Sequence, residues 1–156
     1  MTPDFPLLFD THVWIWLAYG ESRRIKPAAV RAIEDAGSRR AIRISVVSVW
    51  EIALLESKGR LELPVPVSEW IKQALDLPDF ELVGLEPEIA IESCNLPAGF
   101  HADPADRFLV ATARLKNAVI VTRNKRMLKY GKQGQAVKHA RYTKKTPPQR
   151  GLCDCR

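Results

Sequence analysis

The chain has 156 residues, 46% of them apolar and 27% charged, the size and make-up of one globular domain, which excludes a collagen-like, coiled-coil or wholly disordered protein. Its longest apolar run, Val13 to Tyr19, is far shorter than the roughly 20 residues that cross a bilayer, and its first residues lack the pattern of a secretory signal, so a cytoplasmic protein with no membrane span is expected. The formal charge of +6 divides sharply: residues 1–124 hold 14 Lys/Arg against 17 Asp/Glu, net −3, and residues 125–156 hold 10 against 1, net +9.

In chain order, Pro6–Phe9 reads as a short buried strand that meets Asp10 and then a largely apolar helix, Thr11–Ala18. Lys26–Ala36 reads as an amphipathic helix, with Pro27 near its start and Gly37 as its stop. Ala41–Val47 alternates as a strand and runs into a helix over Ser48–Lys58, ended by Gly59. After the Pro64 and Pro66 breaks come a helix over Val67–Leu77, an extended segment Phe80–Leu85 and a helix over Pro87–Asn95. Pro104–Asn117 reads as a helix, Ala118–Thr122 as a buried strand and Asn124–Tyr130 as a short helix. From Lys132 the apolar pattern fades, and a basic, mobile tail over 132–156 is expected, either a solvated terminus or an aid to RNA or DNA binding. The three cysteines, Cys94, Cys153 and Cys155, make no disulfide framework, and Cys153-Asp-Cys155 without a second pair reads as tail rather than metal clip.

Strands alternating with helices predict an α/β protein with a parallel sheet covered on both faces, and in such sheets ligands bind beyond the carboxyl ends of the strands. Four acids fall there. Asp10 follows the first strand, Glu51 is read in the first turn of the helix after the second, and Asp103 and Asp106 flank the start of a later helix. Each suits a capping role alone: Asp10 and Asp103 as N-caps, Ser48-Val-Trp-Glu51 as a capping box. Capping does not explain why all four are delivered to one sheet edge. Clustered carboxylates raise one another's pKa unless a cation joins them, and oxygen ligands favour Mg²⁺ or Mn²⁺ over zinc.

Leu8-Phe-Asp10-Thr-His12, Ser48-Val-Trp-Glu51-Ile-Ala53, His101-Ala-Asp103-Pro-Ala-Asp106-Arg107 and Val119-Ile-Val-Thr122 resemble, in order and spacing, the PIN-domain ribonucleases, specifically toxins of the VapC type. The resemblance runs from about Leu7 to Gly131. It implies a PIN-like α/β/α sandwich around a parallel sheet and a Mg²⁺-dependent endoribonuclease. It also implies a metal site of Asp10, Asp103 and Asp106 with Glu51 acting on the attacking water, and a supporting hydroxyl at Thr122. A cognate antitoxin and a homodimer are implied as partners, with their surfaces sought on Thr11–Ala18 and Ser48–Leu55. Asn124 departs from the pattern, since relatives often carry an aspartate there, and an amide brings no negative charge.

Around this site, Arg107 is read as a phosphate contact or an ion-pair partner of Asp103 or Asp106. His12 is expected to pack or hydrogen-bond locally, and the role of His101 is left open. Trp14, Trp16, Trp50 and Trp70 are expected in the core or at a protein interface. Two alternatives to the ribonuclease stand: a catalytically weak PIN-like module that binds nucleic acid, and a PIN-like nuclease that acts on DNA.

Overall fold

The computed structural model describes residues 5–97 and 99–132, together with the backbone of 152–154. Leu7–Phe9 forms β1, every residue of it buried. Extended backbone sends alternate side chains to opposite faces, so Leu7 and Phe9 join one core and Leu8 another. Along the chain follow α1 (Thr11–Ala18), a 3-10 turn (Ser22–Arg24), α2 (Pro27–Ser38), β2 (Ile42–Ser45), α3 (Val46–Ser57) and α4 (Val67–Leu75). Then come β3 (Phe80–Val83), α5 (Pro87–Cys94), α6 (Pro104–Leu115), β4 (Val119–Thr122), α7 (Lys125–Lys132) and β5 (Leu152–Asp154). The strands lie in the order β3-β2-β1-β4-β5, and every neighbouring pair is parallel.

Two cores sandwich this sheet. On one face Leu7, Phe9, Ile42, Ile44 and Val121 pack against Val13 and Trp14 of α1, Ile33 of α2, Ile52 of α3 and Trp70 of α4. On the other, Leu8 and Ile120 pack against Ile89 of α5, Leu109, Val110 and Ala113 of α6, and Met127 and Tyr130 of α7. The architecture is the expected α/β/α sandwich.

Boundaries shift where local chemistry outweighs pattern. Val46 and Val47 read as strand because they are β-branched, yet Ser45 accepts a hydrogen bond from the Val47 N–H at 3.1 Å and caps α3. The helix therefore starts two residues earlier than expected, Glu51 sits in its second turn, and the Ser48–Glu51 capping box does not form. Gly37 lies inside α2 rather than ending it; the helix closes when Arg40 takes a left-handed φ of 54° and the Ala41 N–H reaches Ala36 O at 2.8 Å. α6 stops before its expected end by the same device, with Asn117 at φ 50° and Ala118 N–H bonded to Ala113 O at 2.9 Å.

The strand β5 was not expected. It pairs Ile120 with Leu152 and Thr122 with Asp154, and three residues are too few for alternation to reveal from sequence. The rest of the basic tail, 133–151 and 155–156, lies outside the described residues, as do the side chains of Cys153 and Cys155. No described helix is long and apolar enough to cross a membrane.

Leu8 is wholly buried between the sheet and the α5–α6 layer, so Leu8→Ala removes methyl groups that little can replace. Urea unfolding of that variant should show stability lower by about 2–5 kcal/mol; a loss below about 1 kcal/mol contradicts the packing described.

Candidate active site

The parallel order places β1 and β4 side by side in the middle of the sheet although they are distant in sequence. At this switch point chain connections leave in opposite directions and open a crevice at the carboxyl edge. Asp10 stands there. Its N–H continues the ladder to Val121 O at 3.0 Å, and although it occupies the N-cap position of α1, its side chain makes no capping hydrogen bond. The carboxylate turns instead to β4, where the fully buried Thr122 donates its hydroxyl to Asp10 Oδ2 at 2.6 Å. Thr122 Oγ1 also accepts the Asn124 N–H at 2.9 Å, so this hydroxyl locks strand end, acid and following turn together.

Asp103 caps α6 as expected, Oδ1 accepting from the Asp106 N–H at 3.0 Å. That bond turns the first helical turn inward and half-buries Asp106, whose Oδ2 accepts the Asn124 amide Nδ2 at 2.7 Å. Asn124 Oδ1 in turn caps α7, accepting from the Arg126 N–H at 2.9 Å. His101 belongs to this group. Its Nδ1 accepts the Asp103 N–H at 3.4 Å, which puts the ring proton of the neutral tautomer on Nε2. Nε2 lies 3.2 Å from Asp106 Oδ2, outside hydrogen-bonding alignment. Burial, then the charge of Arg126, hold the pKa of His101 below its usual value. Glu51 is brought in by α3, which is tied to α1 where the hydroxyls of Thr11 and Ser48 lie 2.9 Å apart.

Burial raises the pKa of all three enclosed acids. For Asp10 burial is the main cause, opposed chiefly by the Thr122 hydrogen bond and the charge of His12. Glu51 is pushed up from 4.5 to about 7, first by burial and then by the charges of Asp10, Asp106 and Asp103. Asp106 rises from 3.8 to about 7 by burial and then by Asp10 and Asp103, with the Asn124 hydrogen bond opposing. Glu51 and Asp106 thus both feel the charges of Asp10 and Asp103. Among the described residues no three His, Cys, Asp or Glu side chains stand at metal-ligating spacing. An all-oxygen set of this kind suits Mg²⁺, which takes one or two carboxylates and completes its shell with water.

The four acids line one cavity of about 530 Å³, and the rest of its lining is of another character: His12 and Trp16 from α1, Trp50, Leu54 and Leu55 from α3, then Arg60 and Arg123. His12 was expected to pack locally; it is exposed and faces the acids. Of the four tryptophans, Trp14 and Trp70 are core residues as expected, whereas Trp50 is 54% exposed. The spacing of His12 to Trp16, four residues along α1 and so on one helical face, is the signal that marks this wall in the sequence. Among the described contacts Arg107 pairs with neither Asp103 nor Asp106. Its Nε donates to Ser93 O at 2.8 Å and its Nη1 to Phe100 O and His101 O at 3.0 and 3.1 Å, clamping the loop ahead of α6.

A parallel α/β/α sandwich with acids gathered at its switch point defines a candidate hydrolytic site, and the comparisons with known proteins give its family. The PIN domain family matches residues 7–133. "Ribonuclease VapC22" of Mycobacterium tuberculosis (strain ATCC 25618 / H37Rv) is 34% identical over 121 residues, 78% of this chain and 88% of that protein. Among solved structures, VapBC2 from Rickettsia felis bound to a DNA fragment from its promoter superposes with a TM-score of 0.61 at 13% identity, covering 86% of this chain and 98% of that one. A toxin-antitoxin complex from Klebsiella pneumoniae gives 0.54 at 22% identity, covering 85% and 96%. The chain belongs to the PIN-domain family, in its VapC-type branch.

The raised acids give the protein a pH-dependent stability of definite sign. Between their ordinary values and about 7 the folded state holds more protons on Glu51 and Asp106 than the unfolded chain does, so stability is greatest at low pH in this window and falls as pH rises towards 7. Calorimetry of protein freed of divalent ions should show this contribution as a Tm lower at pH 7.5 than at pH 5.5. Added Mg²⁺ should raise Tm more at pH 7.5, where protons no longer compete with it. An equal Mg²⁺ effect at both pH values contradicts the shared acidic site.

Proposed function

We propose that this chain is the toxin of a toxin-antitoxin pair, an endoribonuclease that hydrolyses RNA phosphodiester bonds at the acidic cavity. The observation that carries the reading is the convergence of Asp10, Glu51, Asp103 and Asp106, from three separate stretches of chain, on one cavity in which two of them are pushed to about 7. The named activity of the M. tuberculosis relative supports RNA over DNA as substrate.

Asp10, Asp103 and Asp106 would hold a divalent cation, Mg²⁺ or in its place Mn²⁺. When bound, the ion supplies positive charge beside the scissile phosphate and the leaving oxygen. The chain's own part is proton handling and orientation. Glu51, with a pKa near 7, accepts a proton at neutral pH and takes it from the attacking water as that oxygen bonds to phosphorus. The P–O3′ bond breaks, leaving a 5′-phosphate and a 3′-hydroxyl, so the 2′-hydroxyl need not act as nucleophile. Thr122 holds Asp10 in place. Asn124 orients Asp106 through its amide N–H while its carbonyl oxygen is engaged by the start of α7, an arrangement that favours a single ion over a pair.

A cognate antitoxin would act by covering the same cavity, and a homodimer would form through helices. The surface of α1 available for this is small, because Thr11, Val13, Trp14 and Ile15 are buried; α3 offers more.

With a labelled single-stranded RNA and Mg²⁺, wild-type protein should cleave, and chelation by EDTA should stop it. Asp10→Asn should abolish cleavage and Glu51→Gln should slow it by about 10²–10⁴-fold, both with an unchanged circular dichroism spectrum; full activity in either folded variant removes the assignment. In cells, induction should arrest growth, and co-expression of a small antitoxin from a neighbouring reading frame should restore it. Toxicity that no adjacent frame relieves counts against the pairing.

A further inference from the structure

The cavity has a second wall that metal chemistry leaves unused. Trp50 lies next to Glu51 on α3, more than half exposed, and with Leu54 it forms an i,i+4 pair along the cavity's edge. A large exposed indole beside four carboxylates is not explained by packing, since Trp14 and Trp70 already fill the core on this face of the sheet. The cations are placed to match. The Arg123 guanidinium lies 5.3 Å from the centroid of the Trp16 ring, a cation–π contact that holds an exposed side chain at the cavity mouth. Arg60 reaches the same cavity because Gly59 takes a left-handed φ of 65° and the Arg60 N–H closes α3 on Leu55 O at 2.9 Å.

An exposed ring with cations near it, beside an acidic pocket, matches a nucleotide strand: a base for the ring, phosphates for the guanidinium groups, and the next phosphodiester for the acids. Resting on the ribonuclease reading above, we infer that Trp50 stacks on an unpaired base beside the scissile phosphate, while Arg123, held on Trp16, and Arg60 engage flanking phosphates. The site thereby favours an unpaired strand over a duplex. A duplex keeps its bases stacked on one another and offers none to the ring. The cations also offset the repulsion that the acids exert on an incoming polyanion.

The test separates stacking from charge. Binding is measured by fluorescence anisotropy with a labelled single-stranded RNA decamer and with its blunt duplex, in the Asp103→Asn background, where asparagine still serves as an N-cap. Trp50→Ala should weaken binding of the single strand by about five- to hundredfold with an unchanged salt slope, and Trp50→Phe should stay within about threefold. Arg123→Ala should lower the slope of log Kd against log salt by about 0.7. In protein with Asp103 intact, Trp50→Ala should raise KM by a similar factor with kcat altered less. If Trp50→Ala binds and cuts RNA unchanged, or only weakens antitoxin capture or self-association, or if the duplex binds as tightly as the single strand, the inference is overturned. If protein with Asp103 intact binds the strand through Trp50 but leaves it uncut with Mg²⁺ or Mn²⁺, the inference stands and the nuclease reading falls.

Discussion

The short hydrogen bond from Thr122 to Asp10 is the constraint on which the site depends. A carboxylate at the end of a buried central strand is in the costliest place the fold offers for a negative charge, and burial raises its pKa accordingly. The hydroxyl at the end of the neighbouring strand offsets part of that cost, and it can do so only because β1 and β4 are paired in register, Phe9 against Val121. The remaining acids are then added around a fixed point: Glu51 by a helix tied to α1 through Ser48, Asp106 by the turn that Asp103 caps. The fold therefore assembles the site from long-range pairings rather than from a local motif.

Much of this was legible in the sequence because the signals were local. Leu7-Leu-Phe9 before Asp10, and Val119–Thr122 after an amphipathic helix, each announce a strand whose last residue meets the sheet edge, and Asp103-Pro-Ala-Asp106 reads as a capped helix start that proved to be one. What could not be read was competition between two plausible partners for one polar group. Ser48 fits a capping box on paper, but Ser45 takes the helix end and Ser48 is buried against Thr11. Arg107 carries a charge that suggests ion pairing, and only the folded loop reveals the three carbonyl oxygens that it satisfies. Trp14 and Trp16 look alike in the string; which indole meets the core and which meets the cavity depends on how α1 is rolled.

The same sandwich solves two problems with its two faces. The α5–α6–α7 side is packed with aliphatic groups around Leu8 and Ile120 and supplies the scaffold of α6. The α1–α4 side holds the tryptophans, with Trp14 against Trp70 in the core, and grades outward into the exposed rings of the cavity wall. Both layers contribute acids to the edge of the sheet, Glu51 from α3 on this side and Asp103 and Asp106 from the start of α6 on the other.

The clamp of Arg107 on Ser93, Phe100 and His101 has a mechanical consequence. One rigid, planar group rooted in α6 holds two carbonyl oxygens of the stretch that leads into that helix, those of Phe100 and His101, and a third, that of Ser93, near the end of α5. Loop and helix start consequently travel as a single body, and a neutral imidazole rides with them beside the acids. Freeing that one guanidinium would therefore loosen both the stretch and the first turn of α6, and with them the placement of Asp103 and Asp106.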